Sequence, residues 1–317
     1  MKTAQFYNLL SFVLRWPMPV YVHYGITHRC NLNCRMCKVT EDKFENELSI
    51  NEIKDLAGKL SNMGILYASI GGGEPLLRED IVEIIRIFRG ESMKVRLLTN
   101  AILLNRSVIM DICKSGLKGI SISLDTLDEE KYAFITGQNC LKTVLNSIEL
   151  SSRYFKKGLK LLNVVVSRLN LKELPEIIEF AREYNFMVSL IPIENPESEF
   201  EFREKDYQDI DYVYDILLQK RRVIFNSSRF VEFSKDYFKG VMKNPHCYAG
   251  RLYFSISPDG TFGSCHRFRG YKNKKITELI DNCAGCIRPC WREIDFSFGQ
   301  QLNQLRILKL HFPHIFS

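Results

Sequence analysis

The feature that most restricts the fold is an alternation running from about residue 20 to 195. Short runs rich in aliphatic and β-branched residues take turns with longer stretches of helical spacing. The strand-like runs are Val20–Thr27, Leu66–Gly71, Lys94–Asn100, Gly119–Leu124, Lys160–Ser167 and Met187–Ile193. Several are almost continuously apolar, the pattern of a parallel strand covered on both faces. Helical spacing fills the gaps over Ile81–Arg89, Arg106–Ser115, Leu141–Phe155 and Leu171–Tyr184. Another helix opens at Ser49, where Glu52 three residues on completes a capping box. Parallel strands joined by helices need right-handed crossovers, so the six βα units predict an α/β chain with a curved parallel sheet. Six units fall short of a closed eight-strand barrel, and a partial (β/α)6 barrel is the expected architecture. Chemistry in such folds sits at the C-terminal ends of the strands.

The first strand-like run leads into CNLNCRMC, which places Cys30, Cys34 and Cys37 on one short loop. Iron–sulfur cubes are usually closed by four thiolates. Three leave one iron with an open position, where substrate chemistry can take place. A zinc knuckle with His28 as fourth ligand is the alternative that spacing leaves open. The second run ends in GGGEPLLRED, residues 71–80, where consecutive glycines let backbone groups approach a ligand unobstructed. The fourth ends in SISLDT, offering Ser121, Ser123 and Asp125 as short polar groups within reach of a ligand. Asn163 and Ser167 on the fifth run, and backbone around Ile191–Ile193 on the sixth, are further candidates.

The order of these motifs resembles the radical S-adenosylmethionine (radical SAM) superfamily over roughly residues 20 to 295. The resemblance implies that Cys30, Cys34 and Cys37 hold a [4Fe–4S] cluster whose open iron chelates SAM. It further implies reductive cleavage of SAM to a 5′-deoxyadenosyl radical, which removes hydrogen from a substrate, and a flavodoxin- or ferredoxin-type reductant as partner. Matched to the family's GGEP element, Gly72, Gly73, Glu74 and Pro75 would meet the SAM amino group, with Glu74 mainly fixing the loop. Ser123 takes the SAM-contacting position, with Asp125 and Asn163 as companions, and Met36 stands where the family usually has an aromatic against adenine.

A second cysteine group follows: Cys247, then Gly260 and Cys265 in a C-x12-G-x4-C pattern, then Cys283, Cys286 and Cys290. Thiolates from a hairpin and a CxxC loop suit a closed tetrahedral site, for iron–sulfur or for structural zinc. The pattern resembles the "twitch" form of the SPASM extension, implying an auxiliary [4Fe–4S] cluster on Cys247, Cys265, Cys283 and Cys286, with Cys290 in excess. Cys113 and Cys140 fall in helical or loop patterns and read as buried small apolar groups. The expected organisation is a helical lead-in over 1–19, a core over 20–195, an acidic linker with helices over 196–243, the cysteine-rich twitch subdomain over 244–295 and a closing helix over 296–317.

Ten cysteines, most of them clustered at metal spacing rather than in a disulfide framework, point to a reducing, anaerobic cytoplasm. The net charge of +7 is scattered, with no basic stripe interleaved with aromatics, so no nucleic-acid partner is expected. Phe6–Val22 is apolar but broken by Asn8, Arg15, Pro17 and Pro19, so no stable membrane insertion is expected.

The stretch SLDTLDEEKYAFITG also resembles the molybdenum-cofactor GTP cyclase. That resemblance implies basic residues for a triphosphate, but the positions fall on His23, Ser69 and Leu161, and the cyclase's C-terminal double glycine is missing. The expectation is therefore a different substrate: a peptide, as in radical SAM maturases, or an amino-sugar or cyclitol alcohol, as in the twitch dehydrogenase of butirosin synthesis. Only 29 residues precede Cys30, too few for a leader-binding domain of the chain's own. A non-enzymatic metal-holding scaffold is the contrasting reading.

Overall fold

The computed structural model describes residues 19–37, 39, 46–194, 196–197, 199–241 and 253–263. The expected N-terminal helix and the second cysteine group (Cys247, Cys265, Cys283, Cys286 and Cys290) lie outside the described residues.

Six parallel strands form in chain order: β1 (Tyr21–Thr27), β2 (Tyr67–Gly72), β3 (Lys94–Thr99), β4 (Gly119–Ser123), β5 (Leu159–Val166) and β6 (Met187–Pro192). Each pairs with its predecessor, so the sheet advances by one strand per crossover. The sheet is larger than six strands. β7 (Tyr253–Ile256) lies parallel to the far side of β1, and β8 (Phe262–Gly263) pairs antiparallel with β7, giving the order β6-β5-β4-β3-β2-β1-β7-β8. The extra pair is a tight hairpin: Ser257 N–H donates to Thr261 O and Gly260 N–H to Ser257 O. Gly260, the glycine of the C-x12-G-x4-C pattern, holds φ +80° there, a conformation that disfavours any side chain.

The outer layer is built from amphipathic helices. α1 (Ile50–Asn62) starts from the expected box: Ser49 Oγ accepts from Glu52 N–H, and Glu52 Oε2 accepts from Ser49 N–H at 2.8 Å. Its Ile53, Leu56, Ala57 and Leu60, spaced i, i+3, i+4 and i+7, are buried. α2 (Ile81–Gly90) repeats the pattern with Ile81, Ile84, Ile85 and Phe88. α3 (Arg106–Lys114) covers the next crossover. They pack on the outward strand residues, among them Val22, Tyr24, Ile26, Ile70, Leu97, Ile120, Ile122 and Val164, in one continuous core. Burying each such side chain contributes about 1.5–3 kcal/mol, which anchors the sheet's curvature.

Between β4 and β5 stand two helices, where the spacing predicts one. α5 (Leu141–Tyr154) is the expected element, and α4 (Glu129–Thr136) precedes it. α4 has weak amphipathic spacing but strong end signals: Asp128 caps Lys131 N–H at 2.8 Å, and Gly137 closes it at φ +77°. The stretch expected as one helix from Leu171 divides into a 3-10 turn, Leu171–Glu173, and α6 (Leu174–Glu183). Pro175 sets the break, because a residue without an N–H is tolerated in the first helical turn and not inside a helix. After β6 come α7 (Tyr207–Gln219) and α8 (Ser228–Phe238). Among the described residues no helix is long and apolar enough to cross a membrane.

Candidate active site at the cysteine loop

The cysteine loop leaves β1 at the C-terminal edge of the sheet, and its backbone is clamped from three sides. From β2, Gly73 N–H donates to Thr27 O at 2.7 Å and Glu74 N–H to Arg29 O at 2.8 Å. From β3, Asn100 Nδ2 donates to Asn31 Oδ1 at 2.7 Å and lies 4.0 Å from Cys30 Sγ. From the end of α4, Thr136 O and Ile135 O accept Asn33 N–H and Arg35 N–H at 3.1 and 2.9 Å, while Gln138 Nε2 donates to Asn31 O at 2.8 Å. Arg35 caps the contact, its guanidinium 4.1 Å from the Phe134 ring centre. Cys37 N–H then donates to Cys34 O at 3.0 Å, closing a turn that turns the last two thiols together.

The glycines of the second motif serve this clamp. A Cβ on Gly73 would stand 2.2 Å from Arg29 O, and one on Gly72, at φ +124°, would stand 2.3 Å from Thr27 O. Their bare backbone lets the cysteine loop pack directly against the end of β2. Glu74 is fully buried behind them. Its carboxyl accepts from Leu76 N–H at 3.0 Å, Thr99 Oγ1 at 2.8 Å and Asn100 N–H at 2.7 Å. Burial pushes it up to about 7, against the pull of those three donors.

Arg78, only 6% exposed, ties the same loop to α1. It forks onto Asp80 at 2.8 and 2.7 Å, donates to Ile26 O and Leu48 O, and lies 3.6 Å from Glu47. Glu47 in turn accepts from Thr27 Oγ1 and from Arg29 at 3.0 and 3.2 Å. Arg78, Asn100, Asn31 and Gln138 escaped the sequence reading. The polar TN pair closing the third strand was the available signal, since strand ends in this layout face the site.

The donor set fits an iron–sulfur group. Burial pushes the Cys34 thiol up to about 12, and the charges of Asp125, Cys37 and Cys30 add to it. Cys30 is also raised, first by burial, with the Leu32 N–H at 3.5 Å opposing the shift. Three thiolates that repel one another, with no Lys or Arg paired to them among the described residues, are stabilised by a bound cationic metal group. Among the described residues no three His, Cys, Asp or Glu side chains form a single-ion site.

The other candidates stand around this loop. Met36 is half-buried against the core. Asp125 is near enough to Cys34 to disfavour its thiolate, and its Oδ1 accepts Val165 N–H at 2.7 Å, joining the ends of β4 and β5. Desolvation raises that carboxyl to about 7. Ser123, Asn163 and Ser189 lie side by side across β4, β5 and β6, with Ser123 exposed and Asn163 half-buried. Ser167 is turned away into a loop, its N–H donating to Asn170 Oδ1 at 2.9 Å. At the end of β6, Ile193 O already accepts from Tyr237 at 3.2 Å.

A family model described as the Radical SAM superfamily matches residues 24–181. A "Probable GTP 3′,8-cyclase" of Thermococcus kodakarensis is 31% identical over 296 residues, covering 84% of this chain and 95% of that protein. The GTP 3′,8-cyclase of Synechocystis is 33% identical over 173 residues, covering 53% and 52%. A Pyrococcus abyssi relative with the "Probable" form of that name is 38% identical over 174 residues, covering 54% and 56%, so the chain spans about half the length of these last two. Among solved structures, Streptococcus suis SuiB bound to S-adenosylmethionine superposes with a TM-score of 0.65 at 18% identity over 82% of this chain and 63% of that one. The protein anSMEcpe with bound AdoMet superposes with 0.61 at 18% identity over 82% and 78%. At such identities the structural likeness concerns the fold alone.

Proposed function

We propose, from the premise that this chain belongs to the radical SAM superfamily, that it is an enzyme which rearranges a purine nucleotide, of the kind its relatives' names describe for GTP. The superfamily's cofactors are SAM and a [4Fe–4S] cluster. The expectation of a peptide maturase or an alcohol dehydrogenase is corrected here. Relatives 28–38% identical carry the name "Probable GTP 3′,8-cyclase", one matched over 95% of its length, which outweighs the departures at His23, Ser69 and Leu161 and the missing double glycine. That near full-length relationship is the observation that carries the proposal.

In this reading Cys30, Cys34 and Cys37 would hold three irons of the cluster, and SAM bound beside them would supply radical hydrogen abstraction from the nucleotide's sugar. The chain's own residues place and shield that chemistry. Gly72, Gly73 and Glu74 fix the height of the cysteine loop above the sheet. Met36 borders the space for adenine, while Ser123, Asp125 and Asn163 offer polar contacts to SAM at the strand ends. A low-potential reductant of flavodoxin or ferredoxin type delivers the electron. The twitch-type cysteines, Cys247, Cys265, Cys283 and Cys286, with Cys290 as spare, belong to the proposal as ligands of an auxiliary cluster.

The test is anaerobic reconstitution with iron and sulfide, reduction by dithionite, and incubation with SAM and GTP. Formation of 5′-deoxyadenosine together with a GTP-derived product cyclised between the sugar and C8, identified by mass spectrometry, is the expected result. Formation of 5′-deoxyadenosine with GTP unchanged would refute the nucleotide assignment.

A further inference from the structure

The inward face of the sheet carries a polar patch below the cysteine loop that the clamp does not use. Strand register sets Ser255, His23, Ser69, Arg96 and Gly119 side by side across β7, β1, β2, β3 and β4. Their neighbours along each strand, such as Tyr24, Ile70, Leu97 and Ile120, are buried in the helix-covered core, so this row faces the concave side. Tyr21 OH donates to Ser69 Oγ at 2.6 Å, His23 Nδ1 lies 2.8 Å from the same oxygen, and Arg96 Nη2 lies 3.4 Å from Tyr21 OH.

Arg96 is the unusual member. Among the described residues its half-buried guanidinium has that one long hydrogen bond and no carboxylate partner. A guanidinium offers five donors and is charged at every accessible pH. The backbone gives it room, since a Cβ on Gly119 would stand 3.2 Å from Arg96 Cγ, just as one on Gly71 would stand 3.2 Å from His23 Cε1. One row nearer the cysteine loop, Ser121 is 1% exposed and its Oγ has no hydrogen-bond partner. It shares the inward face with Gly119 and pairs in register with Leu98 and Leu161. A buried orphan hydroxyl and an uncompensated guanidinium on one concave face both call for an acceptor-rich ligand.

We infer that Arg96, with Ser121 and the Tyr21–His23 pair beside it, receives the anionic phosphate chain of the substrate on the inward face of the sheet. The inference rests on the nucleotide reading above and departs from the resemblance, which expects the bases at His23, Ser69 and Leu161. Here Ser69 is small and uncharged, and the positive charge stands on its register partner Arg96, one strand over.

Calorimetric titration of the SAM-loaded, cluster-bearing enzyme with GTP, guanosine and inorganic tripolyphosphate separates the possibilities. Arg96→Gln is expected to weaken GTP and tripolyphosphate by roughly tenfold to a hundredfold, the worth of a charge-assisted hydrogen bond, with guanosine affected less than threefold. Arg96→Lys should recover part of the loss. Arg96→Met, which keeps the stem above Gly119, repeats the measurement should the glutamine variant fail to fold. Parent-like GTP affinity in a folded neutral variant overturns the Arg96 assignment and leaves the nucleotide reading intact. Arg96-dependent binding of tripolyphosphate, with no preference for GTP over other phosphate esters, keeps the anion site and removes the nucleotide.

Discussion

The two faces of the sheet obey different rules. The outward face of β1 to β6 is a field of aliphatic side chains against helices, where any residue of the right size and hydrophobicity serves. The inward face of the same strands holds Tyr21, His23, Ser69, Arg96, Ser121, Ser123 and Asn163, joined by cross-strand hydrogen bonds or left unpaired. Stability resides on the first face, and the proposal puts recognition on the second and at its upper rim. If the division is real, changes at the rim should abolish chemistry with modest loss of stability, and changes under the helices should do the reverse.

The largest effect belongs to Cys34→Ala. It removes one of three thiolates from a loop held by backbone hydrogen bonds of its own, so the fold should persist while the cluster is lost. Iron content, the visible absorbance of the reconstituted protein and 5′-deoxyadenosine formation should all fall to background, with far-ultraviolet circular dichroism unchanged. Full SAM cleavage by this variant would remove the loop from the mechanism.

Next in size is Gly73→Ala. It breaks the comparison deliberately, because Gly73 is structural and stands at the rim. A Cβ 2.2 Å from Arg29 O forces the cysteine loop away from β2, at a cost of about 2–4 kcal/mol by analogy with other clashes on fixed backbone. Both the unfolding midpoint and cluster retention should drop. A variant with parent-like stability and full iron content would show the two strand ends to be less tightly joined than their 2.7 Å hydrogen bond implies.

How much of this was legible follows the same line. Apolar runs and i, i+3, i+4 spacing made the outward face readable, since burial there leaves a periodic trace in composition. The cap residues Ser49 and Glu52 fixed the start of α1 for the same reason. α4 escaped because its signal lies in its ends, Asp128 and Gly137, and hardly in its apolar spacing. The hairpin that holds β7 was expected, but its place beside β1 escaped, because a four-residue strand so far along the chain (Tyr253 against Tyr21) finds β1 only through tertiary pairing. At the site, the cysteine triplet was plain from spacing. Arg96, Arg78 and Asn100 were not, because an isolated arginine or asparagine acquires meaning only when register shows what it faces.

Glu74 lies between the two classes, buried like a core residue and bonded like a site residue. Its carboxyl is raised to about 7 by burial, so folding favours the protonated form. The stability it contributes is present in full below the unfolded-state value near 4.5 and is lost as pH rises through about 7. Glu74→Gln cannot titrate, and its amide would face the Asn100 N–H with a second donor. The variant should therefore be less stable by about 1–3 kcal/mol at pH 5, with the deficit shrinking toward pH 8. Urea unfolding of both proteins at the two pH values reads the difference directly. A deficit that grows with pH would mean that the three donors outweigh burial and hold the carboxylate ionised.

The smallest effect tests the outward face alone. Ser49→Ala removes the side-chain acceptor of the box at the start of α1 while leaving Ile53, Leu56, Ala57 and Leu60 in place. Loss of such a cap costs about 1 kcal/mol, a shift of roughly 2 °C in a chain of this size. SAM cleavage should be unchanged, because the box is exposed and makes no bond to the cysteines. Yet Leu48, next to Ser49, accepts from Arg78 through its carbonyl and donates to Pro258 O, so α1 begins only one residue from the bonds that set the rim. A fall in SAM cleavage out of proportion to the lost stability would show that the helix entry transmits to the cysteine loop through Arg78, and that the two faces are less independent than their chemistry suggests.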